Sequence, residues 1–267
     1  MARSWSDFLF GAVPRGHGVQ VYRETEELAD TAAEFFAVGF EQDEPGVLVA
    51  RPEHATLVRD RLRALGWTTD GADANARLIV ADAAATLAAL LEEGRPGAER
   101  FNRVIGDLLA SAGERADGPP VRVFGEMVDL LVERGDAQAA VKLEQLWNDG
   151  LRRRNFSLLC AYRLDIFDPA AQATTIPDVC RAHSHVLPAQ DPQRLARAVD
   201  RALDEVLGSG QAGKVYLLLA DEVRAARLPT PQLLLMWVSA NMPTLAKRVL
   251  AAARRNYAAE VAASGAA

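Results

Sequence analysis

Polar side chains stand at the ends of the short apolar runs that this sequence predicts to be strands. Tyr22, Asp82, Glu126 and Tyr162 each end or closely follow such a run. Open sheets of parallel strands bind their ligands beyond the carboxyl ends of the strands. We therefore predict that these four residues line a ligand-binding site. Glu126 either contacts the ligand there or places its charge at the start of a helix.

Three histidines belong to the same hypothesis. His183 and His185 lie on the segment that leaves the last predicted strand, whereas His17 precedes the first strand and is expected at its opposite end. We predict that Glu126 shares a pocket with His183 or His185, because a buried carboxylate favours the protonated form of a nearby imidazole. Such a charge pair would respond to a ligand or to pH. The alternative is a structural clamp that holds residues 183–188 to the sheet.

Structural roles are open for several other candidates. Asp82 is placed to cap the helix that follows it. Tyr22 and Tyr162 can be half-buried packing residues with a bonded hydroxyl. Cys160, inside the last predicted strand, fits a small buried apolar residue.

The segment from Cys180 to His185 brings one thiol and two imidazoles, those of His183 and His185, close together along the chain. Thiolate and imidazole ligands suit zinc or copper. The segment has no fourth ligand nearby, and its spacing is not that of a standard zinc site. We therefore predict neither a metal ion nor another cofactor.

The phosphate-binding loop of nucleotide enzymes is missing after the first strand. The chain there reads Arg23-Glu24-Thr25-Glu26-Glu27, which contains neither GxGxxG nor GxxxxGK[ST]. Because carboxylates crowd the helix start where a phosphate would bind, we predict no binding of ATP or GTP. The GxSxG, HExxH and CxxC motifs of other enzyme classes are also absent from the sequence.

Short apolar runs alternate with amphipathic stretches through the first two-thirds of the chain, and this order must position the polar residues. Strands that alternate with helices pair in parallel through right-handed crossovers. The predicted fold class is α/β, with a three-layer, mainly parallel sheet in residues 1–190 and an α-helical bundle in residues 191–267. The helix after the third strand is expected to reach about Gly94. The strands are predicted at 18–23, 46–50, 77–81, 121–124 and 156–162.

The composition is that of a globular protein, with 267 residues, 49% of them hydrophobic and 25% charged. No apolar run reaches the roughly 18–20 residues of a membrane span. Two cysteines fit a reducing compartment, so we expect a cytoplasmic location. The net charge of −6 argues against a large nucleic-acid-binding face.

Six short segments together carry a resemblance to a known family. They resemble the MEDS domain, the sensory domain of methanogen and methylotroph regulators, including the dichloromethane-responsive repressor. The resemblance covers about residues 16–188 and implies a RecA-like fold without the Walker motif, a ligand-sensing role and no established catalytic residue. The residues that match the family pattern as site candidates are His17, Glu126, Trp147, His183 and His185. The segments are His17–Tyr22, Gly39–Ala50, Phe124–Val128, Leu143–Asn148, Leu159–Tyr162 and His183–Val186.

We predict a non-catalytic sensory or regulatory protein of bacterial signal transduction. It would bind a small molecule and signal through a partner protein or through self-association of its C-terminal helices. One alternative is an enzyme that uses Glu126 with His183 or His185 as acid and base. Another is a DNA-binding regulator with a helix–turn–helix in residues 231–257. Basic residues are sparse there, so nucleic acid is not expected as a partner, and a membrane is not expected either.

Overall fold

The computed structural model of the protein describes residues 8–10, 15–69, 77–187, 192–225 and 228–264. These residues form two compact units. The sheet unit contains the described residues of 8–163 together with 182–185, and the helical unit contains those of 164–181 and 186–264. The expected domain boundary at residues 190 and 191 lies outside the described residues.

A six-stranded sheet is the main feature of the sheet unit. Its strands are β1 (His17–Tyr22), β2 (Gly46–Ala50), β3 (Leu78–Asp82), β6 (Val121–Gly125), β7 (Phe156–Arg163) and β8 (His185–Val186), while β4 (Leu91–Glu92) and β5 (Arg95–Pro96) pair separately. The spatial order is β3-β2-β6-β7-β1-β8, and the four pairings from β3 to β1 are parallel. The inner strands β2, β6 and β7 are almost entirely buried, as expected of parallel strands that are covered on both faces.

Helices cover both faces of the sheet. Side chains of the first two helices share a core with Leu159 and Ala161 of β7. Side chains alternate along a strand, so Cys160 and Tyr162 lie on the opposite face, where both contact Glu144 of the sixth helix. The α/β fold class is therefore confirmed. The helices are α1 (Thr25–Glu41), α2 (Pro52–Ala64), α3 (Ala83–Leu90), α4 (Ala98–Ser111), α5 (Met127–Glu133) and α6 (Ala137–Arg153).

The helix after β3 is shorter than the sequence predicted. It ends at Leu90 instead of Gly94, and β4 pairs antiparallel with β5 directly after it. Glu93 and Gly94 make the turn between these two strands with φ angles of 49° and 80°. Two successive residues with positive φ form the tight turn that fits the twist of a two-residue hairpin, and this turn stops the helix.

The helical unit contains the C-terminal helices that the sequence predicted. Arg254 and Arg255, candidate phosphate contacts of a DNA-binding helix, are paired within this unit with Asp165 and Glu205. No helix in the described part of the chain combines the length and the apolar character that a membrane span requires. The helices from residue 169 onward are α7 (Pro169–Ala173), α8 (Thr175–Ala182), α9 (Pro192–Leu207), α10 (Ser209–Ala225), α11 (Thr230–Asn241) and α12 (Pro243–Ser264).

Candidate functional site

Glu144 is a carboxylate buried inside the sheet unit. It lies on the buried stripe of α6 that also contains Ala140, Trp147 and Leu151, which are spaced three and four residues apart. Glu144 is only 3% exposed. A buried charge is costly unless it is paired and hydrogen-bonded, so Glu144 depends on partners from neighbouring segments.

Three side chains from different segments meet the two oxygen atoms of Glu144. The hydroxyl of Tyr162 on β7 donates to Oε1 at 2.5 Å. Nε2 of His183 lies 3.3 Å from Oε1, and Nε2 of His17, the first residue of β1, lies 3.3 Å from Oε2. The two imidazole rings are 4.1 Å apart between centroids. One carboxylate therefore joins β1, β7 and the segment that follows α8.

Cys160 completes the group. Its Sγ lies 3.4 Å from Nε2 of His17 and 3.9 Å from Oε2 of Glu144. The register of β1 and β7 pairs Val19 with Cys160, which places His17 and Cys160 on the same face of neighbouring strands. We call His17, Glu144, Cys160 and His183 the Glu144 cluster. One nitrogen, oxygen or sulfur atom from each of the four buried residues lies within 4.8 Å of the others.

Asn148 fixes the orientation of the His17 ring. Its Nδ2 donates to the backbone oxygen of Ala182 at 3.0 Å, which leaves Oδ1 as the acceptor 3.1 Å from Nδ1 of His17. An amide oxygen can only accept, so Nδ1 of His17 carries a proton. Nε2 is then the ring atom that faces Glu144 and Cys160.

Burial and neighbouring charges set the protonation of these side chains. Burial, together with His183, lowers the pKa of His17. Burial opposes the charge of Glu144, but His183 and His17 hold the pKa of Glu144 well below its usual range. Burial and the charge of Glu144 raise the pKa of Cys160 and of Tyr162. Glu144 is therefore the anion of the group, and the thiol and the phenol are neutral.

A second polar group, which we call the carboxyl-end network, lies where β1, β2, β6 and β7 end. Glu126, the residue after β6, is fully buried. Its Oε2 accepts from the backbone N–H of Arg51 at 2.8 Å, and its Oε1 lies 2.5 Å from Nδ1 of His54 on α2. The network consists of Tyr22, Arg51, His54, Glu126, Asp129 and the backbone N–H of Arg163.

Asp129 on α5 is the other carboxylate of the carboxyl-end network. It accepts from Nη2 of Arg51 at 2.7 Å, from the backbone N–H of Arg163 at 2.8 Å and from the hydroxyl of Tyr22 at 3.4 Å. Burial raises the pKa of Asp129 despite the hydrogen bond from Arg163 and the charge of Arg51. Burial and the Asp129 charge also raise the pKa of Tyr22.

The predicted pairing of Glu126 with His183 or His185 is wrong. Glu126 contacts His54 of α2, whereas His183 contacts Glu144 of α6 on the other face of the sheet. The physical reason is the path of the chain after β7: two helices return it to the amino end of β1, where the His183 ring lies 4.1 Å from that of His17, whereas Glu126 follows the carboxyl end of β6.

His185 and Asp82 occupy positions outside both groups. Nδ1 of His185 lies 2.8 Å from the hydroxyl of Ser184, and its ring stacks on Phe8 at 5.2 Å between centroids. Oδ1 of Asp82 accepts from Ala85 N at 2.6 Å and caps α3. Asp82 therefore has the helix-capping role that the sequence had left open for it.

Cys180, the other cysteine of the chain, is not among the four residues of the Glu144 cluster. It lies on α8 in the helical unit and is partly buried. Burial raises its pKa to about 12. Of the three residues that the sequence brought together at 180–185, His183 therefore belongs to the Glu144 cluster, and Cys180 and His185 do not.

Sequence reasoning did not single out Glu144, Asn148 or His54. Glu144 carried a readable signal, because a carboxylate on the apolar stripe of an amphipathic helix must find a buried partner. Asn148, four residues further on, lies on the same side of α6. No local pattern marks His54, whose contact with Glu126 joins residues 72 positions apart.

These residues lie in a part of the chain that matches a known family. The model of the methanogen/methylotroph, DcmR sensory domain (MEDS) matches residues 16–184. The chain belongs to the MEDS family. The Glu144 cluster and the carboxyl-end network both fall within the MEDS domain. MEDS is a sensory domain, which points away from catalysis. No curated protein matches the chain.

Proposed function

We propose that this chain is a non-catalytic sensory protein in which the Glu144 cluster detects a small solute. The observation that carries the proposal is the position of Glu144, whose carboxylate joins His17, Tyr162 and His183. A solute that binds to this carboxylate would alter its contacts with three separate segments at once. The sensory character of the MEDS family supports the same proposal.

The segment after α8 is the part of the domain that would report binding. His183 contacts Glu144, and the N–H of Ser184 donates to the backbone oxygen of His17 at 2.8 Å. The chain continues from there towards α9. A change at Glu144 therefore reaches the residues that precede the C-terminal helices, which we propose pass the signal to a protein partner or to a second copy of the chain.

The charge of the cluster indicates the class of solute. Glu144 is an ionised carboxylate in a site that is nearly closed to solvent. Such a group favours a small cation or hydrogen-bond donor over an anion. Suitable probes are methylammonium and methanol, with dichloromethane as the apolar comparison and divalent metal ions as a separate series.

The test compares the melting temperature and the hydrogen exchange of residues 182–187 with and without each probe. We expect at least one cation or donor to raise the melting temperature and to slow exchange in the unaltered chain. Glu144→Gln should remove this response. Glu126→Gln is the matched control, because Glu126 is an equally buried carboxylate in the carboxyl-end network.

Two results would overturn the proposal. The first is that none of the probes, metal ions included, changes the melting temperature or the exchange. The second is a response that Glu126→Gln removes and Glu144→Gln keeps, which would move the sensing site to the carboxyl-end network.

A further inference from the structure

The Glu144 cluster has the donor atoms of a transition-metal site. Each of its four residues contributes one potential ligand atom. These atoms are two imidazole nitrogens, one thiol sulfur and one carboxylate oxygen, and they lie close together. Nitrogen and sulfur donors suit zinc and its neighbours, while calcium and magnesium prefer oxygen. The donors come from β1, α6, β7 and the segment after α8, so the folded domain assembles them.

The distances from His17 to Glu144 and Cys160 match tetrahedral coordination, and all four donor atoms lie within 4.8 Å of one another. Zinc bonds of about 2.0–2.3 Å place tetrahedral ligand atoms roughly 3.3–3.8 Å apart. Nε2 of His17 lies 3.3 Å from Oε2 of Glu144 and 3.4 Å from Sγ of Cys160. Sγ of Cys160 lies 3.9 Å from Oε2 of Glu144, and Nε2 of His183 lies 3.3 Å from the other oxygen, Oε1.

The hydrogen bond at the second ring nitrogen of His17 is of the kind that ligand histidines make. Ligand histidines normally donate their second ring nitrogen to an oxygen, which fixes the ring and the tautomer. Asn148 accepts such a bond from Nδ1 of His17 and is itself held by Ala182. Tyr162 holds Oε1 of Glu144 at 2.5 Å, so Oε2 is the oxygen that faces both His17 and Cys160.

The charges of the cluster also fit a divalent cation. All four residues are 5% exposed or less. A divalent ion with one carboxylate, one thiolate and two neutral imidazoles has no net charge, which is the cheapest arrangement for a buried site.

We propose that His17, Glu144, Cys160 and His183 bind one Zn²⁺-class ion, with Oε2 of Glu144 as the oxygen ligand. On binding, the Cys160 thiol loses its proton to solvent and a zinc–thiolate bond forms, with no change of oxidation state. The inference rests on the proposed function, since it names the class of solute that the sensing site takes. Four protein ligands leave no open position, so the ion is not a catalyst.

The experiment uses the full chain, stripped of metal by a chelator and dialysed against Zn²⁺ or Co²⁺. We expect one ion per chain by elemental analysis. The Co²⁺ form should show the thiolate-to-metal charge-transfer absorption of a cysteine ligand. Cys160→Ser should weaken Zn²⁺ binding at least 100-fold and remove that absorption, while Cys180→Ser, the matched control, should keep both.

The Co²⁺ spectrum of the unaltered chain keeps the test valid even if Cys160→Ser fails to fold. Absence of bound ion, or a Co²⁺ form without thiolate absorption, overturns the metal proposal. If methylammonium or methanol still gives a response that Glu144→Gln removes, the proposed function survives that failure. If one Zn²⁺ binds through Cys160 but neither Zn²⁺ nor methylammonium nor methanol changes the exchange of residues 182–187, the metal site stands and the sensing proposal fails.

Discussion

At the scale of single residues, the described part of the sheet unit contains four buried carboxylates, and each has its own cationic or hydrogen-bonding partner. Glu44 pairs with Arg122, Glu126 with His54, and Asp129 with Arg51, while Glu144 has two histidines. Breaking one side of a buried pair leaves an uncompensated charge, which is more costly than losing the pair. The stability lost on substituting one of these carboxylates therefore includes the cost of leaving its partner unpaired, as well as the loss of the carboxylate itself.

Asp129 gives a prediction for the pH dependence of stability. Burial raises its pKa, so the folded chain holds the Asp129 proton more tightly than the unfolded chain does. Both states are protonated below the ordinary Asp pKa of about 3.9. As the pH rises above that value the unfolded chain ionises first, so the stability contributed by the proton falls and is lost above the folded pKa. The groups that face Asp129 are Tyr22, Arg51, Glu126, Glu133 and the backbone N–H of Arg163.

Asp129→Asn stays neutral at every pH and can still accept from the backbone N–H of Arg163. We expect the free energy of unfolding of the unaltered chain to fall relative to that of Asp129→Asn between about pH 4 and pH 7. Urea titrations at several pH values in this range measure the difference. A difference that is constant, or that grows in favour of the unaltered chain, contradicts the raised pKa.

At the scale of elements, the sequence was most informative where local patterns are strong. The apolar runs predicted β2, β6 and β7, because parallel strands buried on both faces are apolar throughout. The hairpin of β4 and β5 was missed, since only a Glu-Gly turn marks it within a run that favours helix. The contacts of the Glu144 cluster depend on the pairing of β1 with β7, which joins residues about 140 positions apart, so no local pattern predicts those contacts.

Gly39 shows how tightly α1 packs on the sheet. A Cβ at this position would lie 2.5 Å from Cδ and 2.6 Å from Nε of Arg122. Arg122 is 1% exposed, is paired with Glu44 and donates to the backbone oxygens of Leu9 and Phe35 at 2.7 and 2.9 Å. The Arg122 side chain therefore has little freedom to move away.

We predict that Gly39→Ala lowers the free energy of unfolding by about 1–3 kcal/mol through overpacking. Gly106→Ala on α4 is the matched control, because its Cβ would meet the guanidinium group of Arg154, the far end of a side chain that is 36% exposed. That change should be neutral or stabilising by up to about 1 kcal/mol, since alanine favours helix. Chemical denaturation measures the free energy of unfolding of both variants. Equal changes in the two variants would argue against an Arg122 side chain that cannot move.

At the scale of the whole molecule, the chain combines a MEDS domain with a helical unit that extends well beyond the matched residues 16–184. Within the helical unit, Leu217 and Leu218 of α10 are 77% and 67% exposed. Adjacent large apolar side chains at such exposure are typical of a surface that contacts another protein.

We predict that α10 mediates association of the chain with a second copy. Burying each leucine stabilises an interface by about 1.5–3 kcal/mol, and an aspartate there adds a charge that the interface must desolvate. Light scattering of the unaltered chain should give about twice the monomer mass of 28.8 kDa. The double substitution Leu217→Asp, Leu218→Asp should return the mass to that of the monomer. Leu65→Asp, at a 58% exposed leucine after α2, should leave the larger mass unchanged. A monomer mass for the unaltered chain would end the proposal of self-association.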